Sequence, residues 1–276
     1  MTITTSPIKE HIGVVMEGAF SDGHIVPGAA VAIRDAIDQH GVVVFPEVGI
    51  DDDLYVEFGR QLGELVLLQR GTLATHPEIE AVTRDPNENE LAAYRKGTFL
   101  WHVDGSTSKD PHRVTALICR RVAEGDDGDT ELANGYAAYD ALPDDDKRLI
   151  ADLRVVHSFA AGQRISYPDA PEKVQKAWED APKGEHPLVN TRADGRKWLM
   201  VGSTTDHVIG MDPVEGRALL DRLAAWCTQP QFVMRVRWKV GDMVLFDNKG
   251  VLHRALPYSS TSPRMMHSFM VQAFAV

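Results

Sequence analysis

The sequence predicts a mainly β fold, a sandwich or open barrel of strands with peripheral helices. Two observations support this: the last third of the chain is mostly strand-length apolar runs, and strands do not alternate regularly with helices as a parallel α/β sheet requires. The length of 276 residues suits one elaborated domain. We therefore expect a single domain over residues 1–276, with a loop or helix insertion near 160–185.

The first half is expected to open with a helix, a strand and a second helix. A helical pattern from Pro27 is stopped by Gly41, and the apolar run that follows over 42–45 indicates a buried strand. Asp51 can cap the second helix, whose apolar face runs to Leu65. A polar, turn-rich stretch then predicts a surface loop. That loop covers 84–97. After it, strands are expected over 99–104, 114–122 and 155–159, and helices over 142–153 and 169–185.

The second half is expected to be richer in strands. The turn Asp194-Gly195 predicts a pair of strands over 186–191 and 198–201. Asp212 followed by Pro213 predicts the start of a well-capped helix. Three further runs have the length and composition of strands, over 232–238, 243–247 and 265–276.

Composition excludes several classes of protein. Twenty-nine Lys and Arg against 40 Asp and Glu give a net charge of −11, which disfavours nucleic acid and membrane surfaces as partners. No window approaches the roughly 18 apolar residues of a membrane span. Cys119 and Cys227 form no CxxC pair, so we expect a reducing, cytoplasmic environment. Nucleotide-binding G-x-G and P-loop motifs and the G-x-S-x-G of serine hydrolases are also absent.

Two neighbouring residues and one distant residue have the composition of a metal site. His102 and Asp104 are two apart in a predicted strand, so both side chains would point to the same face. Alone, this spacing is more typical of a surface pair. His253 just past a later strand adds a second imidazole, and two His with one carboxylate form the facial triad that holds Fe(II). Arg264 could then grip the distal carboxylate of a 2-oxo acid that shares the metal.

Four motifs, in order, resemble those of a known family. They are Trp101-His102-Val103-Asp104-Gly105-Ser106, Gly128-Asp129-Thr130-Glu131 followed by Ala137-Ala138-Tyr139-Asp140, Phe246-Asp247-Asn248 to His253-Arg254, and Arg264-Met265-Met266-His267. Together they resemble the taurine dioxygenase and phenoxyalkanoate dioxygenase family of Fe(II)/2-oxoglutarate enzymes, over nearly the whole chain.

The resemblance implies a double-stranded β-helix, the cupin-like jelly roll. It implies that His102, Asp104 and His253 bind Fe(II), and that Thr130 and Arg264 bind 2-oxoglutarate as co-substrate. The implied reaction consumes dioxygen, converts 2-oxoglutarate to succinate and CO₂, and hydroxylates a small molecule. Relatives are commonly homo-oligomers, so a dimer or tetramer is expected.

One departure from the family bears on the substrate. Taurine-cleaving members carry an Arg four residues beyond the position of Arg264, where this chain has Ser268. We therefore expect a small anionic substrate closer to the phenoxyalkanoates than to taurine, with C–O or C–S cleavage as one outcome of hydroxylation. Arg70 is the candidate cation for that anion, and Phe159 matches a position that lines the family's substrate pocket.

Two other functions use the same residues. The triad could hold zinc and a bound water, which would make the protein a hydrolase. Alternatively, a non-catalytic jelly-roll binding protein could retain the motif. Thr130 and Arg264 would have no explanation in a zinc hydrolase, so the sequence favours the dioxygenase.

Overall fold

The structure is a computed structural model that describes residues 2–125 and 127–275. Helices and 3₁₀ helices make up the smaller part of it. The α-helices are α1 (Ala29–His40), α2 (Asp52–Leu62), α3 (Gly135–Asp140), α4 (Asp144–Ile150), α5 (Phe159–Ser166), α6 (Glu172–Glu179) and α7 (Pro213–Cys227), and the 3₁₀ helices are Ala92–Phe99 and Pro230–Phe232.

Most elements of the described chain are strands. They are β1 (Thr4–Pro7), β2 (Val14–Glu17), β3 (Phe20–Ser21), β4 (His24–Ile25), β5 (Val42–Phe45), β6 (Gly63–Leu65), β7 (Glu80–Val82), β8 (Val114–Arg121), β9 (Thr130–Asn134), β10 (Arg154–Ser158), β11 (Lys183–Pro187), β12 (Val189–Thr191), β13 (Lys197–Leu199), β14 (Thr205–Val208), β15 (Val233–Val236), β16 (Met243–Asp247), β17 (Val251–Ala255) and β18 (Met265–Phe274). The expected mainly β composition with some helices is confirmed.

Two sheets frame the interior. The larger has the order β1-β2-β5-β16-β8-β18-β6, with β7 paired to β18, and the smaller has the order β15-β9-β17. A second small sheet has the order β11-β10-β14, and β12-β13 and β3-β4 are separate pairs. Inward residues of the two framing sheets, including Leu117, Leu132 and Phe246, share one buried apolar cluster. The sheets therefore pack face to face.

Strand β8 shows how the sequence pattern determines which side chains reach the interior. Val114, Ala116 and Ile118 belong to the cluster formed with α1 and α2 on the outer face of the larger sheet. Leu117 and Cys119 belong to the cluster between the two sheets. Because side chains alternate along a strand, Thr115 also faces the space between the sheets.

The helices are well delimited and lie outside the framing sheets. Gly41, at φ 73°, ends α1 in a left-handed conformation that glycine tolerates without strain. The Asp51 carboxylate caps α2 by accepting a hydrogen bond from the Leu54 amide. Asp212 caps α7 in the same way, and α7 packs over a third apolar cluster that includes Leu199 and Leu252. Within the described ranges, no helix is both long and apolar enough to cross a membrane.

Several elements agree with the sequence patterns and others correct them. Strands over 42–45 and 243–247 match β5 and β16 residue for residue. The strand expected over 99–104 is wrong, because a 3₁₀ helix occupies Ala92–Phe99 and only an isolated bridge involves His102. The strand expected over 186–191 is split between β11 and β12, which lie in different sheets. The segment near 160–185 holds α5, α6 and the start of β11.

Candidate metal centre and adjoining cavities

The structure brings His102, Asp104 and His253 together. One potential ligand atom of each lies within 4.8 Å of the others. His102 Nε2 lies 3.7 Å from one Asp104 oxygen, and His253 Nε2 lies 3.5 Å from the other. These separations exceed a normal hydrogen bond, so the three atoms face a common space without being bonded to one another.

Backbone pairing, rather than a shared strand, holds the two histidines side by side. The His102 amide donates to the His253 carbonyl at 3.0 Å, and the His253 amide donates back at 2.9 Å. His253 lies within β17, not just past a strand as expected, and Asp104 follows the bridge in a turn. The His102 and Asp104 side chains therefore meet because the chain turns between them, not because of period-two spacing.

Both imidazoles turn Nε2 toward Asp104, and a hydrogen bond fixes the tautomer of His102. His102 Nδ1 donates to the Leu100 carbonyl at 2.8 Å, so the unprotonated nitrogen of the neutral ring is Nε2. The His253 ring lies against Phe246, with centroids 4.4 Å apart. Burial, and to a lesser degree the neighbouring His102, lowers the pKa of His253 to about 3, so this ring is neutral at physiological pH.

The Asp104 carboxylate is held ionised and oriented. Burial by itself would raise its pKa, but the neighbouring His253 and His102 rings outweigh burial and bring the pKa to about 2. Thr115 Oγ1 donates to Asp104 Oδ2 at 2.9 Å. An ionised carboxylate can only accept, so the single hydroxyl proton of Thr115 is used in this bond. Asn248 Nδ2 donates in turn to the hydroxyl oxygen of Thr115, Oγ1, at 2.8 Å.

This donor set fits a divalent transition metal. Two imidazole nitrogens and one carboxylate oxygen face one small space, which is the 2-His-1-carboxylate arrangement of non-haem Fe(II) sites. His112 Nε2 lies 3.2 Å from Thr115 Oγ1 and so buttresses the carboxylate through the threonine. The sequence analysis assigned no role to Thr115, nor to Asn248, which it placed in a motif only; the alternation of β8 could have shown that Thr115 faces inward.

An inner cavity joins this centre to Arg264 and Thr130. Both residues line it together with His102, Asp104 and His253. Arg264 is 2% exposed; its Nε donates to the Gly128 carbonyl at 2.7 Å, and its guanidinium lies 4.7 Å from the centre of the Tyr258 ring. A side chain at residue 128 would collide with this guanidinium, since a Cβ there would lie 2.6 Å from Arg264 Cδ.

Thr130 is held by Trp238. Its hydroxyl oxygen accepts a hydrogen bond from Trp238 Nε1 at 3.0 Å, which leaves the hydroxyl proton free to donate. Ser268 lines the same cavity from β18 and is 3% exposed. A guanidinium and a hydroxyl donor therefore face one small cavity that also contains the potential metal ligands.

An outer cavity of about 290 Å³ opens beside the centre and shares His102 and Asp104 with the inner one. Phe159 lines it, with Tyr94 in edge contact at a centroid distance of 6.0 Å. The rest of its wall combines glycines and small hydroxyl side chains with the apolar Leu91 and Val103, and most of its surface is apolar. Its volume is close to the lower end of small-molecule pockets, about 300 Å³.

Arg70 does not join this cavity. Its guanidinium pairs with Glu90 at 3.0 Å on the exposed surface, and Arg70 lines neither cavity. The expectation that Arg70 meets the substrate is therefore not supported. The arginine that lines both cavities is Arg95, which sequence analysis had included in a surface loop.

Comparisons with known proteins match nearly the full length of the chain to dioxygenases, which agrees with the donor set of the candidate metal centre. The family model described as "Taurine catabolism dioxygenase TauD, TfdA family" matches residues 4–270. An alpha-ketoglutarate-dependent 2,4-dichlorophenoxyacetate dioxygenase from Burkholderia sp. (strain RASC) is 33% identical over 255 residues, covering 88% of this chain and 85% of that protein. The (S)-phenoxypropionate/alpha-ketoglutarate-dioxygenase of Sphingobium herbicidovorans is 29% identical over 234 residues, covering 83% and 80% of the two chains.

A solved structure is similar throughout. The crystal structure of AAD-2 in complex with Mn(II) and N-oxalylglycine superposes with a TM-score of 0.82 at 29% identity, covering 100% of this chain and 99% of that one. The similarity therefore includes both framing sheets and the residues between them.

Proposed function

The chain belongs to the TauD/TfdA family of dioxygenases, and from this premise we propose that it is an Fe(II)- and 2-oxoglutarate-dependent enzyme that hydroxylates a small anionic organic molecule. The observation that carries the proposal is one inner cavity lined both by the His102, Asp104 and His253 group and by Arg264 and Thr130. A zinc hydrolase would leave the guanidinium in that cavity without a role.

In this proposal His102, Asp104 and His253 hold Fe(II). The ionised Asp104 carboxylate offsets part of the metal charge, and the His102 and His253 imidazoles supply the remaining protein ligands. Arg264 and Thr130 bind the distal carboxylate of 2-oxoglutarate. A guanidinium buried to 98% gives a charge-assisted hydrogen bond that water screens little, which suits a dicarboxylate co-substrate.

The overall reaction balances without a further reductant. One dioxygen, one 2-oxoglutarate and one substrate C–H give succinate, CO₂ and a C–OH. When bound, Fe(II) supplies the activation of dioxygen that organic side chains cannot provide. The protein residues orient the co-substrate and hold the substrate beside the metal site, and the inward apolar side chains Phe246 and Leu117 limit water in the inner cavity.

The substrate class follows from the outer cavity and from the relatives. Phe159 and Tyr94 provide an aromatic wall suited to an aryl or apolar group. Relatives with 29–33% identity act on 2,4-dichlorophenoxyacetate and on (S)-phenoxypropionate. We therefore place phenoxyalkanoates before taurine as substrates. Hydroxylation of the carbon next to the ether oxygen gives a hemiacetal or hemiketal, which collapses to a phenol and an oxo acid.

The proposal has further parts. The face-to-face sheets β1-β2-β5-β16-β8-β18-β6 and β15-β9-β17 are taken as the two halves of a double-stranded β-helix. The chain is taken as one domain over residues 1–276. Both cysteines are buried free thiols, which supports a reducing, cytoplasmic location. As in related enzymes, a homo-oligomer, a dimer or tetramer, is proposed.

A substrate screen tests this function. Purified protein is given Fe(II), 2-oxoglutarate and, in turn, phenoxyalkanoates, alkyl sulfates, sulfonates and small hydroxy or amino acids, while oxygen uptake and succinate are measured. We expect a 1:1 ratio of succinate to hydroxylated or cleaved product with at least one anionic compound. Asp104→Ala is expected to abolish coupled turnover.

The screen has two refuting outcomes. Substrate conversion that continues without oxygen and 2-oxoglutarate would indicate a hydrolase instead. Full coupled turnover by Asp104→Ala would exclude Asp104 from the metal site.

A further inference from the structure

Arg95 lies where the two cavities adjoin. It belongs to the 3₁₀ helix Ala92–Phe99, and it lines the outer cavity as well as the inner one. Thr98, His102 and Asp104 are the other residues shared by both linings. A group bound at Arg95 would therefore be next to the reacting centre while remaining accessible from the outer cavity.

The Arg95 guanidinium is held by one ion pair, but one of its hydrogen-bond donors has no acceptor among the described residues. Its Nη2 donates to Glu80 Oε1 at 2.6 Å, and the two side chains are 13% and 17% exposed. Its Nε is buried and has no hydrogen-bond partner among the described residues. A buried donor without an acceptor is unfavourable, so this edge of the guanidinium suits an acceptor brought by a ligand.

Glu80 connects this arginine to the wall of the inner cavity. Glu80 is in β7 and lies directly opposite Ser268 of β18 in the antiparallel register. Glu80 and Ser268 both line the inner cavity. An ion pair anchored on a strand restricts the rotation of a long side chain, so Arg95 is positioned before any ligand binds.

The charge around the outer cavity identifies the kind of ligand. Of the described residues in its lining, Arg95 carries the one permanent positive charge, and Asp104 carries the one carboxylate, which we assign to the metal. The aromatic and apolar residues of the same lining are Leu91, Tyr94, Val103 and Phe159.

The geometry points to Arg95 as the specificity-determining residue that binds the anionic group of the substrate, with Glu80 holding the guanidinium and the apolar wall accepting the substrate body. This inference rests on the proposed dioxygenase function and names its substrate class: small monoanions, carboxylates first, with an apolar or aryl body. Arg264 remains the residue for the co-substrate.

The test compares Arg95→Gln with Arg70→Gln. Both remove a guanidinium paired with a glutamate, but Arg70 is on the surface and lines neither cavity. The probes are phenoxyacetate and its neutral amide, phenoxyacetamide; if another carboxylate gives faster coupled turnover in the screen, that compound and its amide replace them. kcat/KM is measured for each pair from coupled succinate release.

We expect Arg95→Gln to lower kcat/KM for the carboxylate by about 10- to 100-fold, the loss typical of hydrogen bonds to a charged group, and to leave the amide within about threefold. Arg95→Lys should recover part of the preference. Arg70→Gln should match the wild type. Because a merely structural ion pair would affect both probes equally, the ratio of the two values isolates anion recognition.

Other results would overturn the inference. These are an unchanged carboxylate preference in Arg95→Gln, equal losses for both probes, a loss of preference in Arg70→Gln, or a wild-type enzyme that prefers neutral compounds. Anaerobic addition of Fe(II) and 2-oxoglutarate gives a separate readout. The visible absorbance band of that complex should persist in Arg95→Gln, whereas its absence from the wild type would count against the dioxygenase function itself.

Discussion

Thr115 provides a sharp test of how the metal site is oriented. Its hydroxyl donates to Asp104 Oδ2 at 2.9 Å and accepts from Asn248 Nδ2 at 2.8 Å. Thr115→Val replaces the hydroxyl with a methyl group of similar size, so it removes one hydrogen bond to a charged group and leaves the buried Asn248 amide without an acceptor. Hydrogen bonds to charged groups contribute about 1.5–3 kcal/mol.

Because this hydrogen bond already forms without metal, its full free energy is an upper limit on the change in metal affinity, about 150-fold at 1.36 kcal/mol per factor of ten. We expect a loss of about 10- to 100-fold, the range typical when a residue that orients a metal ligand is removed. Fe(II) and Mn(II) dissociation constants are measured anaerobically by calorimetry, without 2-oxoglutarate.

Two controls separate orientation from packing. Thr115→Ser keeps the hydroxyl and should stay within about threefold of the wild type. Thr83→Val changes another buried threonine, one that lines neither cavity, and should not alter metal binding. Equal affinities for Thr115→Val and wild type, or a Thr115→Ser defect as large as that of Thr115→Val, would refute the reasoning.

Three further outcomes are expected. Arg264→Gln should raise the KM for 2-oxoglutarate about 10- to 100-fold but leave metal affinity intact, with the exposed Arg121→Gln as control; a change in metal affinity alone would contradict the assignment. Burial lowers the pKa of His157 to about 4. Above pH 6.5 this histidine is neutral in both the folded and the unfolded chain and does not lower the free energy of unfolding. As pH falls from 6.5 to 4, the unfolded chain binds a proton that the folded chain does not. The free energy of unfolding, measured by urea titration, should therefore fall by up to about 3 kcal/mol across that window, and it should depend less steeply on pH in His157→Gln. Burial also raises the pKa of Cys119 to about 11 and that of Cys227 to about 12, so iodoacetamide at pH 8 should leave both unmodified in the folded protein, as read by intact mass.

Strong local signals explain which elements could be predicted. Apolar runs bounded by glycine or polar residues gave β5 and β16 their correct limits, and a capping aspartate marked the starts of α2 and α7. Strand β17 was missed because it pairs with β9 and with His102, and both partners are distant from it along the chain. The composition of the metal site was thus readable from motifs, but the backbone that assembles it was not.

The two arginines, Arg70 and Arg95, show where local reading fails. Arg70 follows the apolar run 65–68, whereas Arg95 lies in a polar, turn-rich stretch, and nothing within a few residues of either shows which charge faces a cavity. The difference arises from partners far along the chain: Glu90 lies at the surface beside Arg70, whereas Glu80 is fixed opposite Ser268 in a sheet strand and draws Arg95 inward. In this chain, the position of the paired glutamate therefore determines whether each arginine lies on the surface or beside the cavities, and the sequence around the arginine does not show it.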